Sequence, residues 1–480
     1  MPNTTMSRRS FLRRGAVLAG GALVAPAVLQ SLALLGTKGR VYAASGDGGY
    51  GPLFPTADLR DGVLRISLPA GFQYRSFGVA GTPMSDGNLT PLAHDGMAAY
   101  RHGRTIRLVR NHEDRNAPDM GSTAGDPTKK YDPRGGGGTT TLVIDPVTRE
   151  LVRDFISLNG TIVNCAGGPT PWKSWLTCEE TTEGPTRGGW GKPHGYVFDV
   201  PVRADSPVDA IPFPAMGRFS HEAVAVDPRT WIVYETEDNG SNSGFYRYIP
   251  KRRGKLAEGK LEMLAIDGAP NYDTRTGQVL GKKLPVTWVP IPDPDPAAAE
   301  TNQSAVFLQG FAAGGARFAR LEGCWHGQGS IFIVSTNGGN TGVGQVWEYQ
   351  PRGRDKGTLS LIFESPSAAV LDGPDNITVS PHGGLVLCED GAGDQFLRGI
   401  TPEGEIFDFA ENLQNDSEWA GATFLAFDGG NDENDDEDEH GHLTLFVNRQ
   451  GATRGVNPPA PPDVGITFAI WGPWKDGALH

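Results

Sequence analysis

One unit of sequence recurs along the chain, and it constrains the fold more than any other feature. Each copy has a polar opening motif, a short apolar strand, a Gly/Pro/Asp turn and a second strand ending in polar or acidic residues; a third strand follows. One copy runs from His221-Glu222 through the turn Asp227-Pro228-Arg229-Thr230 to Glu235, and another from Asp375-Asn376 through Ser380-Pro381-His382-Gly383 to Cys388-Glu389-Asp390. In chain order the opening motifs are His94-Asp95-Gly96, Asn164-Cys165, His221-Glu222, Glu322-Gly323, Asp375-Asn376 and Glu418-Trp419. The matching strand ends are Asn111-His112-Glu113, Cys178-Glu179-Glu180, 235–238, Ser335-Thr336-Asn337, Cys388-Glu389-Asp390 and Asn448-Arg449. Their separations are 17, 14, 14, 13, 13 and 30 residues, so all but the last fit one hairpin length, and the last holds an acidic run, 428–439, in its turn. Such a recurrence predicts an all-β chain, a six-bladed β-propeller. With 66 Gly and 37 Pro in 480 residues a helical bundle is excluded. A sandwich would match the composition but not the recurrence. Residues 251–318 are too long for an ordinary connection and are read as an insertion with an outer strand.

The hairpin geometry gives the repeat a chemical meaning. The start of the first strand and the end of the second lie together, opposite the turn. The motifs should therefore gather at one mouth of the central channel, bringing together Asp95, Glu113, Glu179, Glu222, Glu235, Asp238, Glu322, Asp375, Glu389 and Asp390. So many carboxylates cannot all stay ionised in a poorly solvated space, and cations are expected there. Hard oxygen donors suit Ca²⁺, and carboxylates with a thiolate and a histidine suit a transition metal. By the same geometry 428–439 lies on the opposite face, as a solvated loop.

The N-terminus reads as an address. Ser7-Arg8-Arg9-Ser10-Phe11-Leu12 precedes a moderately apolar run, 15–35, and Val41-Tyr42-Ala43 offers a cleavage site. The pattern resembles a twin-arginine export signal over 1–43, with a membrane anchor as the alternative. The mature chain, 44–480, is expected as a single propeller domain in the periplasm or outside the cell, as a monomer without stable membrane insertion. A net charge of −13 disfavours nucleic acid as a partner. Of the four cysteines, Cys165, Cys178, Cys324 and Cys388, spacing alone permits two disulfides or a metal-bound thiolate.

The stretches Thr177-Cys178-Glu179-Glu180, Gly217-Arg218-Phe219-Ser220-His221-Glu222, Arg320-Leu321-Glu322-Gly323 and Asp372-Gly373-Pro374-Asp375-Asn376 with Cys388-Glu389-Asp390-Gly391 together resemble the PhoX family of exported alkaline phosphatases. Where longer members carry Arg-Pro-Glu-Trp, this chain has Arg320-Leu321-Glu322-Gly323, as in a shorter, divergent branch. The resemblance implies a six-bladed propeller holding Fe³⁺ and Ca²⁺ and hydrolysing phosphate esters by metal-ion catalysis of in-line displacement. It implies Cys178 as the iron thiolate, with Glu179, Glu322 and Glu389 as carboxylate ligands. Glu222, Glu235, Asp238, Asp375 and Asp390 complete the expected metal set. Arg218 is the first choice for clamping phosphate, ahead of Arg320 and Arg449, and His221 is a second candidate for catalysis.

Blander roles stand beside these. Cys178 could pair with Cys165 or be a buried thiol, Cys324 and Cys388 read as structural, and His221 and His112 could hydrogen-bond within the wall. Two other functions remain open: a Ca²⁺-dependent lactonase or esterase of propeller type, and a non-catalytic calcium-binding exported propeller. No G-x-S-x-G pattern occurs, which disfavours a nucleophile-elbow hydrolase.

Overall fold

Short runs of β-branched and aromatic residues, each closed by Gly, Pro or Asp turns, form strands throughout the chain. The computed structural model describes residues 46–426, 443–460 and 464–480. The signal-like segment 1–43 and the acidic run 428–439 lie outside the described residues. No described helix is long and apolar enough to cross a membrane.

Three N-terminal strands come first: β1 (Leu53–Ala57), β2 (Leu64–Pro69) and β3 (Gln73–Phe77). Then follow β4 (His94–His102), β5 (Thr105–His112), β6 (Gly137–Ile144) and β7 (Leu151–Thr161), which form one antiparallel sheet. Next come β8 (Asn164–Pro169), β9 (Ser174–Glu179) and β10 (Val197–Pro201), a second sheet. A larger sheet holds β11 (His221–Val226), β12 (Val233–Glu237), β13 (Phe245–Arg252), β14 (Lys255–Ile266) and β15 (Leu284–Pro290). It continues into β16 (Leu321–Gly327), β17 (Ser330–Ser335), β18 (Gln345–Arg352) and β19 (Lys356–Glu364), because β15 pairs with both β14 and β19. The last strands are β20 (Pro374–Val379), β21 (Leu385–Glu389), β22 (Phe396–Ile400) and β23 (Ile406–Asn412), then β24 (Trp419–Ala426), β25 (Leu443–Arg449) and β26 (Ile466–Trp471). The span 251–318 thus supplies β14, the cross-sheet strand β15 and a short helix, Ala305–Ala312.

The first strands β4, β8, β11, β16, β20 and β24 touch in that order, and β24 returns to β4, closing an all-β, propeller-like ring. The ring is closed by the N-terminus: β3 pairs with β26, and β2 with β23. Apolar side chains fill the spaces between sheets, as where Tyr234, Phe245, Trp347 and Tyr349 pack with Cys324 and Ile333. Each large side chain so buried contributes about 2 kcal/mol.

One irregularity repeats at a single end of the ring. At the start of each hairpin three residues advance on the first strand against two on the second, from His94 to Met97, Asn164 to Gly167, His221 to Val224, Leu321 to Cys324, Pro374 to Ile377 and Ala420 to Thr423. Such a bulge bends the strand and re-aims the side chain that it displaces. The residues inside the bulges begin with Asp95, Cys165, Glu222, Glu322, Asp375 and, in the last, Gly421 at φ 64°. In five of the six a Gly or Ala comes next, at Gly96, Ala166, Ala223, Gly323 and Ala422, because the strands crowd at the axis. A Cβ on Gly96 would stand 2.5 Å from the Ala166 Cα, and one on Gly323 would stand 2.7 Å from the Asp375 carbonyl oxygen. Only about 10 Å³ of free space remains below, so the axis is plugged and the bulges floor a pocket.

Candidate metal centre

The bulges bring acidic side chains from distant parts of the sequence into a continuous run. Asp95, Glu113 and Cys165 offer donor atoms all within 4.8 Å of one another. The same holds for Cys165, Glu180 and Glu222, for Glu222, Glu322 and Asp375, and for Asp375, Asp390 and Glu418. Shared members join the groups end to end. Glu113, Glu180 and Asp390 each stand one residue past a second strand's end, where the chain turns over the mouth. Gln450 stands in the corresponding place after β25 and donates to Asp95 (3.0 Å) and Glu113 (2.8 Å).

The last residue of three of these strands does a different job. Glu179 accepts hydrogen bonds from the backbone N–H groups of Ile162, Gly195 and Tyr196 and from His194 Nδ1 (2.6 Å). Glu237 accepts from the Gly244 N–H and the Tyr246 hydroxyl. Glu389 accepts from the Asp372 and Phe396 N–H groups and from Arg398 Nε (2.7 Å). All three tie the loop after the strand to its own sheet, and their oxygens are occupied by donors.

The electrostatics of the run are those of acids short of counter-charge. Burial, reinforced by Glu113 and Asp375, pushes the Asp95 carboxyl well up. Burial and the neighbouring Asp375, Glu180 and Asp95 do the same to Glu222, and burial with Asp238, Glu222 and Asp375 to Glu322. Asp375 is pushed up to about 7 by burial and Asp390, against the pull of Arg320. The Cys165 thiol is raised by burial and by the acids around it. Both oxygens of Glu222 are buried without a hydrogen-bond partner. Two guanidiniums answer part of this charge: Arg115 pairs with Glu113 and Glu180, and Arg320 with Asp238 (3.1 Å) and Glu322 (2.6 Å). They stand between the acidic pocket, about 190 Å³, and an open cleft of about 590 Å³.

Of the residues singled out from sequence, Asp95, Glu113, Glu222, Glu322, Asp375 and Asp390 lie in the run, and Asp238 borders it through Arg320. The others do not. Cys178 shares a face of β9 with Leu176 and packs among Val197, Phe219 and Val224, and its thiol is raised by burial. Glu179 and Glu389 are loop braces. Glu235 sits within β12, two residues short of the strand end, with both oxygens buried without a hydrogen-bond partner among the described residues and Oε2 3.4 Å from His221 Nδ1. His221 donates through Nε2 to the Gly217 carbonyl, stacks on Phe219, and is lowered by burial to about 4. Arg218 is buried, with Nε on the His194 carbonyl (2.9 Å) and Nη2 on that of Thr182 (3.1 Å). It pins the cleft wall and does not face the pocket. Arg449 bonds Gln414 and the Val464 carbonyl. All four cysteines are buried and free, so the two-disulfide reading does not hold.

Sequence reasoning passed over Cys165, Glu180, Glu418 and Arg115 as site residues. A signal was present for three of them, since Cys165 and Glu418 stand in opening motifs and Glu180 in a matching strand end. The bulge, which decides which of two adjacent residues turns inward, carries no signature a single sequence displays.

An all-β, propeller-like ring with a carboxylate-and-thiol pocket at one end of its axis defines the class. The chain belongs to the alkaline phosphatase PhoX family, which matches residues 48–432, and the family's activity is phosphoric monoester hydrolysis. No curated protein matches. Among solved structures the chain is similar to a gluconolactonase from Xanthomonas campestris, at 12% identity over 82% of this chain and 98% of that one, with a TM-score of 0.32. It is also similar to regucalcin, a calcium-binding protein from Agrobacterium tumefaciens, at 9% identity over 83% and 95% of the two chains, with a TM-score of 0.39.

Proposed function

We propose that the chain is a metal-dependent phosphomonoester hydrolase, exported by the twin-arginine route, with its site at the axial pocket of a six-bladed propeller domain spanning 44–480. What carries this reading is the unbroken run of donors from Asp95 to Glu418 beneath Arg115 and Arg320. The donor set fits cations: Glu222 is a buried carboxylate that no N–H or O–H donor of the described residues reaches, with the Cys165 thiol beside it, and its neighbours are acids that burial and mutual repulsion keep from ionising together. The hard oxygens of Glu222, Glu322, Asp375, Asp390 and Glu418 suit Ca²⁺, and Cys165 with Asp95, Glu113 and Glu180 suits Fe³⁺. When bound, such ions supply Lewis acidity toward phosphoryl oxygens and water.

The protein's own groups do the rest. Arg115 and Arg320 stand where the pocket opens to the cleft, and their forked N–H donors match phosphate oxygens. Asp238 and Glu322 hold Arg320, and Glu113 and Glu180 hold Arg115, so both guanidiniums are oriented before substrate arrives. Gln450 fixes Asp95 against Glu113. The plugged axis leaves entry to the mouth, through the cleft past the arginines and through a second opening of about 520 Å³ that shares Asp390, Glu418 and Gln450 with the pocket. A thiol among the donors favours this reading over a calcium-only lactonase. The ring closes within one chain, so a monomer suffices.

The test is hydrolysis of p-nitrophenyl phosphate by the mature chain loaded with Ca²⁺ and Fe³⁺. Turnover that disappears on chelation and returns on reloading supports the reading. A fully loaded protein that cleaves no phosphomonoester overturns it.

A further inference from the structure

The cleft above the pocket carries more positive charge than the pocket's own chemistry uses. Its walls hold four arginines, Arg115, Arg187, Arg320 and Arg454, against three carboxylates, Glu180, Glu183 and Asp238. Each carboxylate already has a partner: Glu180 has Arg115, Asp238 has Arg320, and Glu183 accepts from Trp190 Nε1 (2.8 Å). Arg187 reaches Glu183 only at 4.0 Å, and Arg454 makes no ion pair among the described residues. Both side chains are open to solvent, yet the backbone beneath Arg454 is clamped. Arg115 N–H donates to the Thr453 carbonyl (2.8 Å), Gly455 N–H to Asn116 Oδ1 (2.9 Å), and Asn116 Nδ2 back to the Gly455 carbonyl (3.1 Å). A fixed backbone presenting an unpaired guanidinium into a concave wall is a preorganised anion contact. At about 590 Å³ the cleft has the size of a small-molecule site.

We propose that this cleft selects phosphomonoesters whose organic half carries a second anionic group, a carboxylate or a further phosphate, held by Arg454 and Arg187 while Arg115 and Arg320 hold the phosphate to be cleaved. The proposal rests on the phosphatase reading and names its substrate class. Arg454 and Arg187 are specificity residues, removed from the reacting atoms, so their effect falls on KM.

The test compares two esters alike in size, 3-phosphoglycerate and glycerol 3-phosphate, on the metal-loaded mature protein. The expected wild-type preference for phosphoglycerate in kcat/KM is about tenfold, as two partly solvated charge contacts allow. Arg454→Ala should cut that ratio about fivefold through KM, and R187A/R454A should bring it near one. The preference should also shrink as salt rises. A wild-type ratio near one, or a ratio that neither variant changes, overturns the proposal while leaving the phosphatase reading intact. Failure to cleave either ester while p-nitrophenyl phosphate is still hydrolysed overturns the proposal as well; failure on all three refutes the phosphatase reading itself.

Discussion

Replacing Glu179 with Gln distinguishes a loop brace from a metal ligand, two roles that sequence alone does not separate. In the folded protein the Glu179 carboxylate faces three backbone N–H groups and the His194 ring, all buried. An amide keeps one acceptor oxygen, turns an NH₂ toward donors, and removes the negative charge beside His194. Burial by itself would lower the His194 ring, but Glu179 and Asp132 outweigh it and lift the ring from 6.5 to about 9. That rise of about 2.5 units corresponds to about 3 kcal/mol. Asp132 shows the same coupling from its own side: burial would raise its carboxyl, yet His194 and two backbone N–H groups bring it from 3.8 to about 2. The two are one interaction and do not add. E179Q leaves Asp132 on the ring and should therefore lose part of that, about 1–3 kcal/mol. A ring with a raised pKa gives stability that is complete below 6.5 and fades as pH climbs through about 9. The gap between wild type and E179Q should thus be full below about pH 6.5, shrink through neutrality and close by about pH 9. Urea unfolding across that range, with elemental analysis of both proteins, reads stability and metal content together. A variant that keeps wild-type stability but loses metal would refute the brace and make Glu179 a ligand.

Three further outcomes follow from the same geometry. Arg115→Ala and Arg320→Ala should each lower kcat/KM for p-nitrophenyl phosphate about 100-fold, measured on protein whose metal content is matched to wild type. Glu222→Gln should abolish turnover, yet leave the thermal midpoint of the chelated protein unchanged or higher, since it removes a buried acid without a partner; a lower midpoint would contradict the electrostatic account. Gly323→Ala places a Cβ 2.7 Å from the Asp375 carbonyl oxygen and 2.8 Å from the Ile377 nitrogen, so it should cost about 1–3 kcal/mol in unfolding and weaken Ca²⁺ binding by titration calorimetry.

The sequence carried the architecture further than the site. Periodic hairpins with one length and one pattern of polar ends are enough to place the motifs at a common rim, because antiparallel pairing leaves no other choice. Which residue of each motif faces the pocket is set by one added residue on the first strand, at Asp95, Cys165, Glu222, Glu322 and Asp375. Cys165, displaced by the bulge of β8, and Glu180, one residue past the end of β9, face the donors, whereas Cys178 and Glu179 on β9 itself, prominent in the family motif, face the apolar core and a loop. Arg218 misled for a related reason: a charged residue in a polar motif suggests a ligand, but its donors are spent on carbonyls. Arg115 stood out less because its motif shows only its acidic neighbours. Gly323 is explained by packing: a Cβ there would crowd Asp375, Asn376 and Ile377.

Iron content of Cys165→Ala beside Cys178→Ala, measured by elemental analysis of natively exported protein, decides between the two thiols. Loss of iron in C165A with retention in C178A is the predicted pattern, the second variant showing only the modest destabilisation of a small core cavity. Iron kept in C165A and lost in C178A would place the metal on the other side of the strand and contradict the ring of bulges as the source of the site.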